Sequence, residues 1–402
     1  MSCGGALALT VGVSVFADGG FGAASQSAYT ALAGVTLLLT VWLLPRATCT
    51  AAGSPLALAL GALATLGVGS AIWTISGQAD AAVRWGLVFA AHGAVFIAAC
   101  AFTRVVGPRP LLVGIVLVAT SEAILGLAAV AFHQSPMAEP IDGSWRPGGT
   151  FQYPPALALL QVAALPILSR GLQRAPAFAV AAGSSAVLSG ATIALAESRL
   201  AIVLAACLLV MLVLGPRANA PSRLTATVLS ILVLTGAVGG ATLLDASAGH
   251  GPGRTGLARS GQSSGALPSD WSDQLHGRDR EWLAAAETWL DRPVLGAGAG
   301  AYYAASLRHQ GNSPTLFAHD LPLELAAELG VAGLLVAVIL YAGVAELLAG
   351  TRHSPAARLL APLVVIFTLS SLLDWTWHLA GFAALWATAA GGLQALRREA
   401  NR

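Results

Sequence analysis

The chain returns repeatedly to long apolar runs, and this repetition limits its possible folds more than any motif does. Such runs cover residues 4–17, 29–45, 55–74, 80–102, 110–132, 154–169, 176–196, 199–215, 222–244, 331–349, 355–374 and 379–396. Roughly 20 apolar residues in helical form cross the hydrocarbon of a bilayer, so the pattern predicts about twelve spans, the first of them short. Composition points the same way: 56% of residues are hydrophobic, 10% are charged, and the mean hydropathy is +0.73, outside the range of ordinary soluble domains. The expected fold is an all-α polytopic transmembrane bundle. Three regions follow: an N-terminal bundle over 1–244, a long extracytoplasmic loop over 245–318, and C-terminal transmembrane helices over 319–402.

Charge sets the orientation of this bundle. All 21 basic residues are arginines, and the formal net charge is only +2. They are scattered between spans rather than gathered into a stripe, which argues against nucleic acid as a partner. Arg46, Arg104, Arg109, Arg170, Arg174, Arg217, Arg223, Arg352 and Arg358 fall in short connections on one side of the series, with Arg397, Arg398 and Arg402 at the C-terminal end. By the positive-inside rule that side is cytoplasmic, and both termini are expected there. The N-terminus has no basic n-region, so its first apolar run reads as a retained span. Cys3, Cys49, Cys100 and Cys207 show neither metal-ligand spacing nor a disulfide framework.

Most polar residues of interest then lie on the outer side. Residues 246–269 are Gly/Ser-rich and read as flexible linker. Beyond them, Arg280 to Leu290 has apolar residues at helical spacing and is stopped by Asp291-Arg292-Pro293, which predicts an amphipathic helix across the outer mouth of the bundle. Another helix should begin at His319-Asp320: Asp320 suits an N-cap, Pro322 a first turn, and Glu324 the positive end of the helix dipole. His319 is thereby expected at the membrane-water boundary. The segment Arg146 to Tyr153 reads as an outer turn leading into a span.

No Walker motif, dinucleotide fingerprint, zinc-protease motif or nucleophile elbow occurs. Gly296-Ala297-Gly298-Ala299-Gly300 has no following Lys-Ser/Thr and is too weak a signal for a phosphate loop. The chemistry must be sought in single residues. Arg199, at the outer junction of two apolar runs, is either an interfacial anchor paired with Glu197 or a guanidinium free to grip a phosphate. Arg278 precedes the amphipathic helix, whose Trp282 and Trp289 can hold it at the lipid interface. His319 is either an interfacial histidine or a general base suited to taking a proton near neutrality. Asp320, Glu324 and Glu328 recur every four residues as an acidic stripe, which calls for arginines such as Arg292 or Arg308 or else for a divalent ion. Asp374-Trp375-Thr376-Trp377-His378 is either an aromatic belt or a sugar platform in which Asp374 and His378 bond hydroxyls.

These residues resemble the O-antigen ligase and O-antigen polymerase superfamily of bacterial membrane glycosyltransferases. The resemblance is carried by His319-Asp320 followed after nine residues by Gly330-x-x-Gly333, by Ser198-Arg199, by Gly277-Arg278 with Trp282, by Asp291-Arg292-Pro293-Val294-Leu295-Gly296, and in the first half by Gly149-Thr150-Phe151. It implies that Arg199 and Arg278 bind the pyrophosphate of a polyprenyl-linked glycan donor and that His319 activates an acceptor hydroxyl on a glycan or lipid core. Arg292, Asp320, Trp282, Asp374 and His378 are further candidates for substrate contact. The implied reaction is inverting, needs no metal or other cofactor, and takes place outside the bacterial plasma membrane. Asp320, where the superfamily often has an amide or serine, and Pro155, where asparagine is frequent, depart from its pattern. Two alternatives follow from the same residues: a polysaccharide polymerase, or a transporter of lipid-linked or anionic solutes, for which Arg84, His92, Glu122 and Glu346 are the titratable or charged groups within spans.

Overall fold

The computed structural model describes residues 2–141, 143–215, 220–247, 278–311 and 314–397. Gly277, the Gly/Ser-rich stretch 248–269, Arg217, Arg398 and Arg402 lie outside the described residues. The elements in order are α1 (Cys3–Phe16), α2 (Ala23–Leu43), α3 (Pro45–Ala52), α4 (Pro55–Gly69), α5 (Ala79–Val106), α6 (Arg109–Ala131), β1 (Ala138–Ile141), β2 (Ser144–Pro147), α7 (Pro154–Leu172), α8 (Pro176–Leu195), α9 (Arg199–Leu214), α10 (Ala220–Ser247), α11 (Arg278–Asp291), α12 (Tyr302–Ser306), α13 (Leu321–Thr351), α14 (Ala357–Ser370) and α15 (Ala380–Leu396). Among the described residues, eight helices are long and apolar enough to cross a membrane, and α1, α9, α14 and α15 are shorter apolar helices. Large apolar side chains face outward along them, including Trp42 at 78% exposure and Leu38 at 71%, which in water would be an aggregating surface and in a bilayer is a lipid-facing one.

The chain divides into two compact units, one made of Met1–Leu111 with Leu267–Arg402 and the other of Leu112–Ala266. In the first, α5 is the central helix and packs against α15, α4 and α2. Its polar group His92 is covered, with Nδ1 2.8 Å from the Tyr29 hydroxyl. In the second unit α8 lies against α10 at very short range. A Cβ on Gly190 would meet the Val233 carbonyl, and one on Gly236 the Val187 carbonyl, so the two glycines admit the partner backbone reciprocally.

The structure adds detail where the sequence suggested only turns. The strands β1 and β2 form an antiparallel hairpin that pairs Ala138 with Pro147 and Glu139 with Arg146, and Gly149–Phe151 is a 3-10 turn. The connection holding Arg46 is a helix, α3, opened by Pro45 at its first position. The amphipathic helix α11 does more than lie on lipid: its Ala285 and Trp289 pack on Tyr302, Ala318 and Ala327, while Leu283 and Leu290 remain exposed.

Candidate functional site

The start of α13 in the first unit is built by carboxylates that hold backbone. Asp320 caps the helix as its sequence predicts, its Oδ1 accepting the Leu323 N–H at 2.8 Å. The Leu321 N–H reaches the Ser371 carbonyl at 2.8 Å. Glu324 Oε2 accepts the Ala318 N–H at 3.0 Å, and its Oε1 lies 2.8 Å from His378 Nε2. Fixed on both sides, His319 takes a left-handed backbone with φ 55°, a conformation that costs a non-glycine residue about 1–2 kcal/mol.

That strained turn aims the imidazole at α11. His319 Nδ1 lies 3.6 Å from Glu281 Oε2, with side-chain exposures of 19% and 16%. This separation is too long for a hydrogen bond. Both atoms are buried and neither has a hydrogen-bond partner among the described residues; Asp279 Oδ1 and Trp282 Nε1 on the same helix are in the same condition. Buried polar atoms are almost always satisfied in folded proteins, so this group has the character of a site completed by water or by a substrate hydroxyl. Burial pushes the Glu281 carboxyl up to about 7, with Asp374 and Asp279 adding to the rise and Arg278 opposing it. Burial, followed by the positive charges of Arg278 and His378, brings His319 down to about 4, so its imidazole is neutral at pH 7. Burial likewise raises Asp320 and lowers His378. Arg278, Glu281, His319 and Asp374 thus share one local field in the first unit.

Behind this group lies an aromatic wall. The His378 ring is 3.7 Å from that of Trp377 and 3.8 Å from that of Phe317, and Trp375 stacks on Phe317 at 5.1 Å. Asp374 and His378 are 4% and 2% exposed, and His378 is already committed to Glu324. Of the segment that reads as either an aromatic belt or a sugar platform, Asp374, Trp377 and His378 are buried and Trp375 keeps partial exposure, because the 3-10 turn Thr376–His378 folds its rings inward.

The acidic stripe also departs from expectation. Glu328 is buried and accepts the Tyr302 N–H at 3.1 Å and the Gly300 N–H. Its neighbourhood is the Gly296–Gly300 run, in which Ala297 N–H goes to Ala327 O, Gly298 N–H to Glu328 O and Ala299 N–H to Ser70 Oγ. These amides are consumed by the fold, so the run cannot cradle a phosphate. The same strand-like passage breaks α13: Gly330 has φ 65°, and Val331 N–H bonds the Pro293 carbonyl at 2.9 Å. A Cβ at Gly330 would strike Val294 O, and one at Gly296 would strike the Glu328 backbone, which gives both signature glycines a steric reason. Neither expected arginine serves the stripe. Arg308 pairs with Asp291, whose carboxyl is held below its usual range by His309 and Arg308, and Arg292 is exposed. Among the described residues no group of three His, Cys, Asp or Glu side chains is arranged to hold a metal ion.

Arg199 belongs to the second unit, where it is the exposed first residue of α9 behind the N-cap Ser198. It is not the partner of Glu197. That carboxylate, on a residue with φ 51°, pairs with Arg146 Nη2 at 2.7 Å and lies 3.4 Å from Ser144 Oγ, so the hairpin takes the acid and leaves the Arg199 guanidinium. Nearby in sequence, Glu122 of α6 accepts the N–H and Oγ–H of Thr150 at 2.8 and 2.6 Å, which ties down the Gly-Thr-Phe turn.

Sequence reasoning singled out Arg278, Trp282 and His319 but gave Glu281 no role. The available signal was its place one helical turn after Arg278, on the face that also carries Ala284, Ala285 and Thr288 inward.

Comparison with known proteins bears on this same region. The sequence model of the O-antigen ligase family matches residues 184–338, a segment that contains Arg199, Arg278, Glu281, Trp282, Arg292, His319 and Asp320 and ends before Asp374 and His378. No curated protein matches the chain. Over that segment the chain is similar to the O-antigen ligases, the superfamily that its motifs resemble.

Proposed function

We propose that this membrane protein transfers a glycan from a polyprenyl-pyrophosphate carrier to an acceptor hydroxyl at the outer face of the bacterial plasma membrane. The observation that carries the reading is the meeting of Arg278, Glu281 and His319 at one half-buried spot, with Nδ1 of His319 and Oε2 of Glu281 3.6 Å apart and lacking partners among the described residues. Its support from likeness is the family match over residues 184–338.

The mechanism follows from the charges. The lipid tail of the donor stays among the spans while its pyrophosphate and first sugar reach the outer surface. Arg278 neutralises the charge that grows on the leaving pyrophosphate, and a planar guanidinium can do so through two parallel hydrogen bonds; Arg199 of the second unit is a donor-phosphate candidate by resemblance alone. His319 is unprotonated at neutral pH, the state a base requires. It takes the acceptor proton as the acceptor oxygen bonds to the anomeric carbon. The bond from that carbon to the pyrophosphate oxygen breaks, and its electron pair leaves with the pyrophosphate. Attack opposite the leaving group inverts the anomeric centre. The leaving group is already stabilised by two phosphates and by arginine, so the scheme requires no divalent ion. Trp282 and Arg292 serve the donor side, and both chain termini are cytoplasmic.

The test is glycan transfer by purified protein in liposomes supplied with a polyprenyl-pyrophosphate glycan and a mixture of acceptors. Wild type should give product and His319→Ala none. A single shifted product indicates a ligase and a ladder indicates a polymerase. Equal transfer by the two proteins, or movement of the donor across the bilayer without transfer, would overturn the reading.

A further inference from the structure

We infer that Glu281 is a positioning residue for His319: its carboxylate holds the imidazole hydrogen on Nδ1, so that Nε2 is presented as the proton acceptor. The inference rests on the proposed transfer reaction. Its warrant is geometric. Glu281 Oε2 and His319 Nδ1 face one another at 3.6 Å, both are buried, and neither has another partner among the described residues. A small closure of the site on substrate brings the pair within hydrogen-bond range, as catalytic contacts often tighten when the complex forms. The two residues come from elements that are independently fixed. The Glu281 carbonyl receives the Tyr302 hydroxyl at 3.4 Å, and the turn before His319 is held by Glu324 through the Ala318 N–H.

Every neighbouring group can be assigned. Arg278 and Asp279 act from α11, Asp320 from the start of α13, Asp374 and His378 from the turn before α15, and Tyr302 from α12. Asp320 is occupied by the Leu323 N–H and Glu324 by Ala318 and His378, and Asp374 accepts the Trp375 N–H. Arg278 and His378 both oppose a positive charge on His319. A carboxylate against Nδ1 is the feature that restores enough basicity for the ring to accept a proton.

The proton states fix a sign. While Glu281 is protonated, its O–H donates to Nδ1, the ring hydrogen sits on Nε2, and the base is blocked. Once Glu281 loses its proton, the carboxylate accepts Nδ1–H and Nε2 is free. During transfer the acceptor O–H bond breaks, its proton moves to Nε2, the new glycosidic bond forms and the pyrophosphate departs. The resulting imidazolium is stabilised by the Glu281 carboxylate until the proton leaves to water. Transfer should therefore be lost as pH falls through the Glu281 titration, near about 7.

The experiment is a pH–rate profile of glycan transfer in proteoliposomes for wild type, Glu281→Gln and Glu281→Asp, between about pH 5 and pH 9, with donor KM measured at each point. In wild type a one-proton acid limb near about 7 is expected. Glu281→Gln should lower kcat on the order of 10²-fold at unchanged donor KM and lose that limb. Glu281→Asp should recover part of kcat and shift the limb. Should Glu281→Gln fail to insert, the other two proteins decide: a flat wild-type profile, or a limb that Glu281→Asp leaves unmoved, overturns the inference. A Glu281→Gln protein with lowered kcat but an unmoved limb also overturns it, because that is the result of structural damage alone. Failure of the transfer reading itself is separate, since it shows as a His319→Ala protein that remains active or as donor movement across the bilayer without transfer by wild type.

Discussion

Two carboxylates of the first unit, the enclosed Glu328 and the half-buried Glu281, invite comparison. Around Glu328 every polar group finds a partner: two backbone amides reach its side chain, and the Gly296–Tyr302 amides are used in turn. Around Glu281 the reverse holds, with four buried side-chain atoms of Asp279, Glu281, Trp282 and His319 lacking partners among the described residues. Glu328 is fully enclosed and Glu281 is half-buried with its Oε2 covered, so both lose solvent, though to different degrees. What separates them is satisfaction. A fully bonded acid is a structural pin, and an unbonded one near a strained histidine is a group kept ready for something outside the chain.

Substitution can break this comparison directly. The largest effect should come from Arg278→Ala and His319→Ala, each lowering transfer on the order of 10²- to 10⁴-fold without loss of insertion, as read by product formation beside size-exclusion behaviour in detergent. Glu328→Ala should do the opposite kind of harm. It strands two buried amides at about 1–3 kcal/mol each, so a clear drop in thermal midpoint is expected before any effect on chemistry can be read. A third variant sharpens the contrast: His319→Gly relieves the left-handed strain and should raise stability by about 0.5–1 kcal/mol while abolishing transfer, which thermal unfolding and the transfer assay check together. The smallest change should follow Arg146→Ala. Its ion pair with Glu197 is partly solvated, so about 1 kcal/mol or less is at stake, and a large loss of transfer would mean that the hairpin does more than relieve Arg199 of its acidic neighbour.

Much of the fold was legible because it is local. Apolar runs located the helices, eight of them long enough to span among the described residues; the Asp320 cap and Pro322 located the start of α13, and Asp291-Arg292-Pro293 ended α11 within a residue of its observed limit. Half of the site was legible for the same reason, since Arg278, Trp282 and His319 sit at helix starts or on an amphipathic face. The rest depends on segments far apart in the chain. Glu197 meets Arg146 across 51 residues of sequence, Glu122 meets Thr150 across 28, and Glu324 meets His378 across 54. Four-residue spacing correctly put Asp320, Glu324 and Glu328 on one side of a helix. It carried no information on whether amides, arginines or a metal would face them, and amides did.

The interruption at Gly330 has a mechanical meaning. Before it, the segment Leu321–Leu329 is stitched to the 293–302 passage through Ala297–Ala327 and Gly298–Glu328; after it, Val331–Thr351 is exposed and apolar on its outer side. A span answers a thicker or thinner bilayer by changing its tilt, at a fraction of a kcal/mol per ångström of mismatch. With a non-helical residue between the two parts, the bearing of His319 on Glu281 rests on the backbone bonds from the 293–302 passage to the start of the helix rather than on the direction of the span beyond Gly330.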